Sequence, residues 1–237
     1  MRAAAISQDE EQELVRAFFD NAKSGFFVEV GANEPFERSQ TWHLEQLGWT
    51  GILIEPQPDL AVKLVASRKA MVFAVACSSP DDAGGTMPLH VAGPLSSLDR
   101  DRMAPGAKLE TVIEVPVRTL DDILEEASAP YPIDLLSIDV EGHELEVMLG
   151  FDFGHWRPRL VMMEDHVGSL TKHWYLQSRG YRLIRRVGNN GWYVPVAEPA
   201  DIAWRDRWEI WRKYYLALPF RMARNASRAV RRMWKGR

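Results

Sequence analysis

Cysteine and long apolar runs are what the sequence has least of, and each shortage excludes a class of protein. Cys77 is the single cysteine among 237 residues, so neither a disulfide within the chain nor a metal site built on several thiolates can form. No apolar run reaches roughly 18 residues, so the sequence predicts no membrane-spanning helix. Residues 1–13 also lack the apolar stretch of a secretory signal, and we therefore expect a cytoplasmic location.

The net charge is small, but it is unevenly distributed. A formal charge of −4 over the whole chain does not indicate a nucleic-acid-binding protein, and we expect none to be bound. From Arg205 to Arg237 there are eleven basic and two acidic residues, giving +9. The rest of the chain carries 18 basic and 31 acidic residues, giving −13. An acidic body and a basic tail need separate explanations.

Short apolar strands alternate with amphipathic segments along most of the chain. The pattern predicts an α/β fold with a mostly parallel sheet, helices on both faces and one antiparallel edge strand from a closing hairpin near 181–196. A helix is predicted at about 37–47, and strands near 87–91 and 110–117. We expect one domain over residues 1–200, with an N-terminal helix in 1–25 packed on it, and a helical tail over 201–237.

Polar residues follow the predicted parallel strands, and ligands of open α/β sheets bind beyond the carboxyl ends of the strands. Taken singly, Gly31 could form a tight turn and Glu55 could be a solvated loop carboxylate. Several polar residues, however, are expected at the same edge of the predicted sheet, and together they predict a ligand-binding site. The candidates, in strand order, are Glu29, Gly31, Ala32 and Asn33, then Glu55 and Pro56, then Asp139, Glu141 and His143, and then Glu164, Asp165 and His166.

The loop after the first strand indicates which cofactor fits. Dinucleotide folds use a G-x-G-x-x-G loop, because a pyrophosphate needs a close backbone and a bare helix N-terminus. This loop has one glycine, Gly31, and three nearby carboxylates, Glu29, Glu34 and Glu37, which would repel a pyrophosphate. S-adenosylmethionine has no phosphate and carries a sulfonium and an ammonium group, so it suits the loop better. Glu55 is placed to accept its ribose hydroxyls.

Five segments resemble the FkbM-type methyltransferases and occur in the order of that family, over about 26–196. They are Phe27–Asn33, Ile54–Pro56, Ser96–Leu98, Val117–Asp121 and Leu136–Glu144. The resemblance implies a class I methyltransferase fold with seven strands, S-adenosylmethionine as donor and, usually, O-methylation. It also implies that Glu29, Gly31, Asn33 and Glu55, with the adjacent Ala32 and Pro56, hold the cofactor, and that Asp139 and Glu141 lie where cofactor and acceptor meet. Glu34–Phe36 depart from the pattern, in which a glycine is common after Asn33.

We therefore expect methyl transfer to a hydroxyl of a sugar, polyol or other small metabolite. This glycan or small-molecule acceptor is inferred by analogy with the family. A hydroxyl acceptor needs a general base, for which His143, His166 and Asp139 are the candidates. Glu141 and Glu164 complete the predicted catalytic set. A Mg²⁺ ion held by Asp139, Glu164 and Asp165 could instead lower the pKa of the acceptor.

Two other functions are open to the sequence alone. A degenerate methyltransferase fold could serve as a non-catalytic module that binds a partner or a membrane through its basic tail. A nicotinamide-dependent oxidoreductase is the second rival, and the missing glycines argue against it.

The C-terminal segment has a helical pattern in two halves. Trp204, Trp208, Trp211, Tyr215 and Leu218 share one face, which we expect to pack on the domain or on a second subunit. Residues 219–237 combine apolar positions with basic ones, which predicts a peripheral contact with an anionic membrane, at its inner face. A disordered tail and an acidic partner are the alternatives, and the sequence gives no oligomeric state.

Overall fold

The structure, a computed structural model, describes residues 8–103, 106–200 and 202–223. The helices are α1 (Gln8–Phe18), α2 (Trp42–Glu45), α3 (Pro58–Ser67), α4 (Leu120–Glu126), α5 (Glu144–Leu149), α6 (Phe153–Trp156), α7 (Thr171–Ser178) and α8 (Trp204–Trp211), the last continuing as a π-helical turn, Arg212–Leu216. The strands are β1 (Phe26–Val30), β2 (Thr50–Ile54), β3 (Met71–Phe73), β4 (Ala76–Cys77), β5 (Thr86–Val91), β6 (Thr111–Arg118), β7 (Leu135–Ile138), β8 (Leu160–Glu164), β9 (Tyr181–Val187) and β10 (Asn190–Pro195).

Seven strands form the main sheet in the order β3-β2-β1-β7-β8-β10-β9. The pairs from β3 to β8 are parallel, and β9 and β10 form an antiparallel hairpin. The prediction of an α/β fold with a mostly parallel sheet is confirmed. The central strands are apolar along nearly their whole length because parallel strands are covered on both faces, and Val28, opposite Ile52 and Leu136, is fully buried.

A second, smaller sheet has three strands in the order β4-β6-β5. The whole of β5 pairs antiparallel with β6, from Thr86 opposite Pro116 to Val91 opposite Thr111, and the last two residues of β6 pair parallel with β4. Leu89, Val115 and Val117 form its buried core with Ala76. Both strands agree with the sequence patterns near 87–91 and 110–117, and together they give the protein an apolar wall outside the main sheet.

The segment before α2 is not the helix that the sequence predicts over 37–47. Only Trp42–Glu45 is helical there. The buried carboxylate of Glu29 accepts hydrogen bonds from the Ser39 hydroxyl, the Gln40 backbone N–H and the Thr41 hydroxyl. These bonds hold the 39–41 backbone in a loop, and Arg38 has a left-handed φ of +62°, so a helix cannot begin earlier. The prediction for this helix is wrong at its first half, because a tertiary contact decided the local structure.

The chain forms two compact units that divide between Glu164 and Asp165. The predicted boundary between a domain and a tail near residue 200 stays a prediction. Within the second unit, the C-terminal helix joins the hairpin through an ion pair between Arg185 and Asp206 at 3.3 Å. Lys213 also donates a hydrogen bond to the Gly188 carbonyl oxygen at 3.0 Å. These contacts place the described part of the tail in the same unit as β9 and β10.

The aromatic face of the C-terminal helix is exposed and does not pack on the domain, while the alternative prediction of packing on a second subunit stays a prediction. Trp204 is 73% exposed, Trp208 54%, Trp211 47% and Tyr215 53%. Tyr214 is the residue that packs inward, at 0% exposure. The predicted membrane contact through 219–237 falls mainly on residues 224–237, which lie outside the described residues. No described helix is both long and apolar enough to cross a membrane.

Candidate active site

A cleft opens at the carboxyl ends of β1, β2 and β7. Its empty volume is about 530 Å³, a figure that includes space open to solvent. Six of the predicted site residues line it: Gly31, Asn33, Glu55, Pro56, Asp139 and Glu141. The lining combines these carboxylates with apolar side chains.

Gly31 lets the strands approach one another at the floor of the cleft. Its φ is +85°, and a Cβ atom added there would lie 1.9 Å from the carbonyl oxygen of Asp139. The N–H groups of Gly31 and Ala32 both donate to the carbonyl oxygen of Ile54, at 2.9 and 3.1 Å. The turn after β1 thus touches the ends of β2 and β7 at once, and only glycine fits there. Ala32 contributes through its backbone and is itself buried.

Glu55 has its carboxylate fixed by two backbone donors. Its Oε2 accepts the N–H of Asn33 at 2.8 Å, and its Oε1 accepts the N–H of Gln57 at 2.9 Å. The residue is 3% exposed, and burial raises its pKa to about 7, against the lowering effect of these bonds. Each carboxylate oxygen keeps a further acceptor position, so the group is held in place for a hydroxyl donor from a ligand.

Glu29 does not line the cleft, although it was predicted to bind the cofactor. It is buried, its oxygens are engaged by the 39–41 loop, and burial raises its pKa. We therefore expect Glu29 to act by positioning that loop.

Arg68 was not singled out from the sequence, yet it holds the same loop. The side chain is fully buried and pairs with Glu45 at 3.2 Å. Its Nη1 donates to the Pro35 carbonyl oxygen and the Ser39 hydroxyl, each at 3.0 Å, and its Nη2 donates to the Thr41 hydroxyl at 3.0 Å. An arginine at the end of a helix usually lies on the surface, so no signal in the sequence predicts this role.

Replacing Arg68 should destabilise the fold strongly. In Arg68→Met the buried carboxylates of Glu45 and Glu29 lose their cation, and breaking a buried pair typically costs about 3 kcal/mol or more. Urea unfolding measures the effect. Lys63→Met is the matched control, because the Lys63–Glu34 pair is exposed and such pairs contribute about 1 kcal/mol at most. Equal losses in the two variants would contradict the assigned network.

Asp139, Glu141 and Glu164 bring negative charge together at the ends of β7 and β8. Burial, and after it the charge of Glu164 and that of Glu141, raise the pKa of Asp139 well above its ordinary range. Asp139 also shares a hydrogen bond with Glu164, which requires a proton between the two carboxyls. Burial and the charge of Glu164 raise the pKa of Glu141 to about 7. Burial and mutual repulsion therefore raise the pKa values of Asp139 and Glu141, and both effects favour their protonated forms.

A loop of the smaller sheet holds the backbone at Glu141. The Ser97 hydroxyl donates to the carbonyl oxygen of Glu141 at 2.8 Å, and Arg102 donates to that of Gly142 at 2.9 Å. Glu141 and Gly142 have left-handed φ values of +49° and +101°. This left-handed turn directs the chain from β7 into α5. The segment Ser96–Leu98 is therefore part of the same structural unit as Glu141, although it lies far from it in the sequence.

His143 is not in the cleft. It is 5% exposed, and its Nε2 lies 2.9 Å from the hydroxyl of Ser78. That hydroxyl donates to Asp82 at 2.7 Å, so the histidine donates through Nε2 and is engaged in a buried network. Burial lowers its pKa. This geometry supports a structural role for His143 before α5, and the predicted role of a catalytic base has no support from its position.

The remaining predicted residues follow β8 in the second unit. His166 is exposed there. Asp165 is 1% exposed, and its carboxylate accepts the Val167 N–H at 2.8 Å and the Tyr214 hydroxyl at 3.0 Å, with Lys172 at 3.5 Å. A Mg²⁺ ion at Asp165 would therefore compete with these protein donors for the carboxylate.

The apolar wall of the cleft was not predicted. It includes Ile54, Ala76, Cys77, Leu89 and Leu98, partly from the smaller sheet. Burial raises the pKa of the Cys77 thiol, which makes this side chain an unreactive apolar surface. Apolar residues that form a pocket and those that form a core have the same composition, so no sequence signal could have distinguished them.

A mostly parallel sheet with a carboxylate-lined cleft at its carboxyl edge is the architecture of a Rossmann-like α/β protein, in which ligands bind at that edge. The model of the methyltransferase FkbM domain matches residues 29–183, a range that contains every residue lining the cleft. The chain therefore belongs to the FkbM methyltransferase family. A comparison with curated proteins gave no match.

Proposed function

We propose that the protein is an S-adenosylmethionine-dependent O-methyltransferase acting on a hydroxyl of a sugar, a polyol or another small metabolite. The observation that carries the proposal is the carboxylate-rich cleft inside the matched domain, built around one glycine and the fixed Glu55 carboxylate. The hydroxyl acceptor itself is inferred from the family resemblance and from the presence of a suitable base.

The residues of the cleft fit the cofactor in both charge and shape. Glu55 would accept the ribose hydroxyls, and a bound hydroxyl donor would favour the ionised carboxylate. Gly31 and Asn33 would hold the amino-acid end, with Pro56 beside Glu55. The wall that includes Leu89 and Leu98 offers an apolar surface for a flat base. When bound, S-adenosylmethionine supplies an electrophilic methyl group, and its cationic sulfonium suits an acidic cleft.

Glu141 is the general base that the geometry favours. It lines the cleft, its backbone is held by Ser97, and its pKa of about 7 matches the pH at which a base is most effective. Its carboxylate would accept the proton of the acceptor hydroxyl. Asp139, which shares a proton with Glu164, would keep that region of the cleft polar and could donate a hydrogen bond. His166 and Glu164 remain candidates for contact with the acceptor.

Label transfer tests the proposal directly. The protein is incubated with S-adenosylmethionine carrying an isotopically labelled methyl group and with the small-molecule fraction of a cell extract, and products are identified by mass spectrometry. We expect a labelled methyl ether and stoichiometric S-adenosylhomocysteine. Label on nitrogen or carbon would contradict O-methylation, and binding without any transfer would favour the non-catalytic module. Full activity after EDTA treatment would exclude the Mg²⁺ hypothesis.

A further inference from the structure

The described part of the C-terminal segment presents an aromatic surface to solvent. We define the aromatic face as Trp204, Trp208, Trp211 and Tyr215, each close to half exposed or more. Leu216, Phe220 and Met222 extend the exposed apolar surface, at 50%, 76% and 53%. Monomeric proteins rarely leave so many large apolar side chains next to one another in water, so this surface needs a partner.

Charges surround the aromatic face. The Arg205 guanidinium lies 5.7 Å from the centre of the Trp204 ring, and the rings of Trp208 and Trp211 stack with centres 5.2 Å apart. Arg205, Arg207 and Arg212 are exposed on the same helix. Indole and phenol rings beside basic side chains are the composition found at the interface between a bilayer and water.

Charge complementarity decides between the two partners that an apolar face could take. A second copy of the chain would bring two segments of +9 together, since residues 205–237 hold eleven basic and two acidic residues. A bilayer with anionic headgroups would instead meet that charge with the opposite one. Six of these eleven basic residues lie in 224–237, the fourteen residues that follow the described part of the segment in the sequence.

We propose that the aromatic face is a peripheral binding surface for a bilayer that contains anionic phospholipid, with its tryptophan rings in the headgroup region. This inference does not depend on the proposed function. It moves the predicted contact from 219–237 to a face that begins at Trp204, and it requires no membrane-spanning segment. Methyl transfer would then take place close to a membrane surface.

Vesicle flotation of the full-length protein tests the inference. One set of vesicles is pure phosphatidylcholine, and the other contains one-third phosphatidylglycerol. We expect binding to the anionic vesicles to be at least tenfold stronger, and to weaken at high salt because the attraction is screened. Each basic residue near the surface should contribute about a fivefold factor in partitioning.

Matched variants assign the binding to the aromatic face. The triple variant Trp204→Ser, Trp208→Ser, Trp211→Ser should bind anionic vesicles at least tenfold more weakly with an unchanged unfolding temperature, because these side chains are exposed. Trp174→Ser, at a tryptophan that is 60% exposed on α7, should bind as the wild type does. Equal binding by the triple variant and the wild type would overturn the proposal. So would the absence of vesicle binding together with dimerisation that the triple variant abolishes, which would assign the face to a second copy.

Discussion

Glu141→Gln is expected to lower kcat by about 10²–10⁴-fold, the usual contribution of a general base. The amide has the same shape but cannot accept the proton of the hydroxyl. In the wild type, kcat should rise with pH through about 7, because the base acts in its ionised form and burial with the Glu164 charge sets its pKa near that value. The residual activity of the variant should lack this rise. Steady-state kinetics with the acceptor found by label transfer measures both effects.

Two further variants make the Glu141 result specific. Glu114→Gln, on an exposed position of β6, should leave kcat unchanged. Asp139→Asn should reduce kcat less and should leave the pH dependence in place. If Glu141→Gln keeps its rate while Asp139→Asn abolishes both the rate and the pH dependence, the base is Asp139.

Gly31→Ala should destabilise the protein by about 4 kcal/mol and remove cofactor binding, because two penalties combine. Alanine is strained at a φ of +85°, and its Cβ would lie 1.9 Å from the Asp139 carbonyl oxygen, so β1 and β7 must separate at the floor of the cleft. Chemical unfolding and calorimetric titration measure the two losses.

Gly84→Ala separates the backbone strain from the clash. Gly84 has nearly the same φ, +86°, but nothing lies within 4 Å of the added Cβ. We expect a loss of about 1 kcal/mol from strain alone, with cofactor affinity unchanged. If the two variants lose similar free energies of unfolding, the steric clash between residue 31 and Asp139 contributes little to the destabilisation.

The ends of the parallel strands could be located from the sequence, because each short, mainly apolar run is followed directly by glycine or an acidic residue. Apart from Glu29, the run Phe27–Val30 is apolar, and it ends in Gly31. The run Leu136–Ile138 ends in Asp139, so both the strands and the rim of the sheet can be recognised. Glu55, Asp139 and Glu141 were found in this way. The start of α2 could not be predicted from the sequence. Hydrogen bonds of the 39–41 loop with Glu29 and Arg68 keep this segment out of the helix that its local sequence favours.

Side-chain direction limited what could be predicted about catalysis. His143 lies in the same short segment as Asp139 and Glu141, but the turn at Gly142 directs it to Ser78 and away from the cleft. Asp165 follows Glu164 directly, yet its carboxylate belongs to a network with Tyr214 in the second unit. Adjacent residues in a sequence can therefore serve different parts of a fold, and a residue's type does not reveal which.

The aromatic pattern of the C-terminal helix was recognised from the sequence, but what the aromatic face packs against could not be predicted. Periodicity shows that Trp204, Trp208 and Trp211 share a face. It does not show whether that face packs on the domain. The packed side of the segment contains Tyr214, whose hydroxyl bonds to Arg186 and Asp165. An exposed face and a buried one give the same pattern.

Calorimetric titration of S-adenosylmethionine and S-adenosylhomocysteine into the wild type, Glu55→Gln and Glu55→Ala tests the central claim most directly. We predict micromolar binding of both ligands by the wild type, at least tenfold weaker binding by Glu55→Ala because a charged acceptor for the ribose is lost, and an intermediate value for Glu55→Gln. NADH should not bind. A folded wild-type protein that binds neither ligand, or that binds NADH in their place, would contradict the assignment of the cleft.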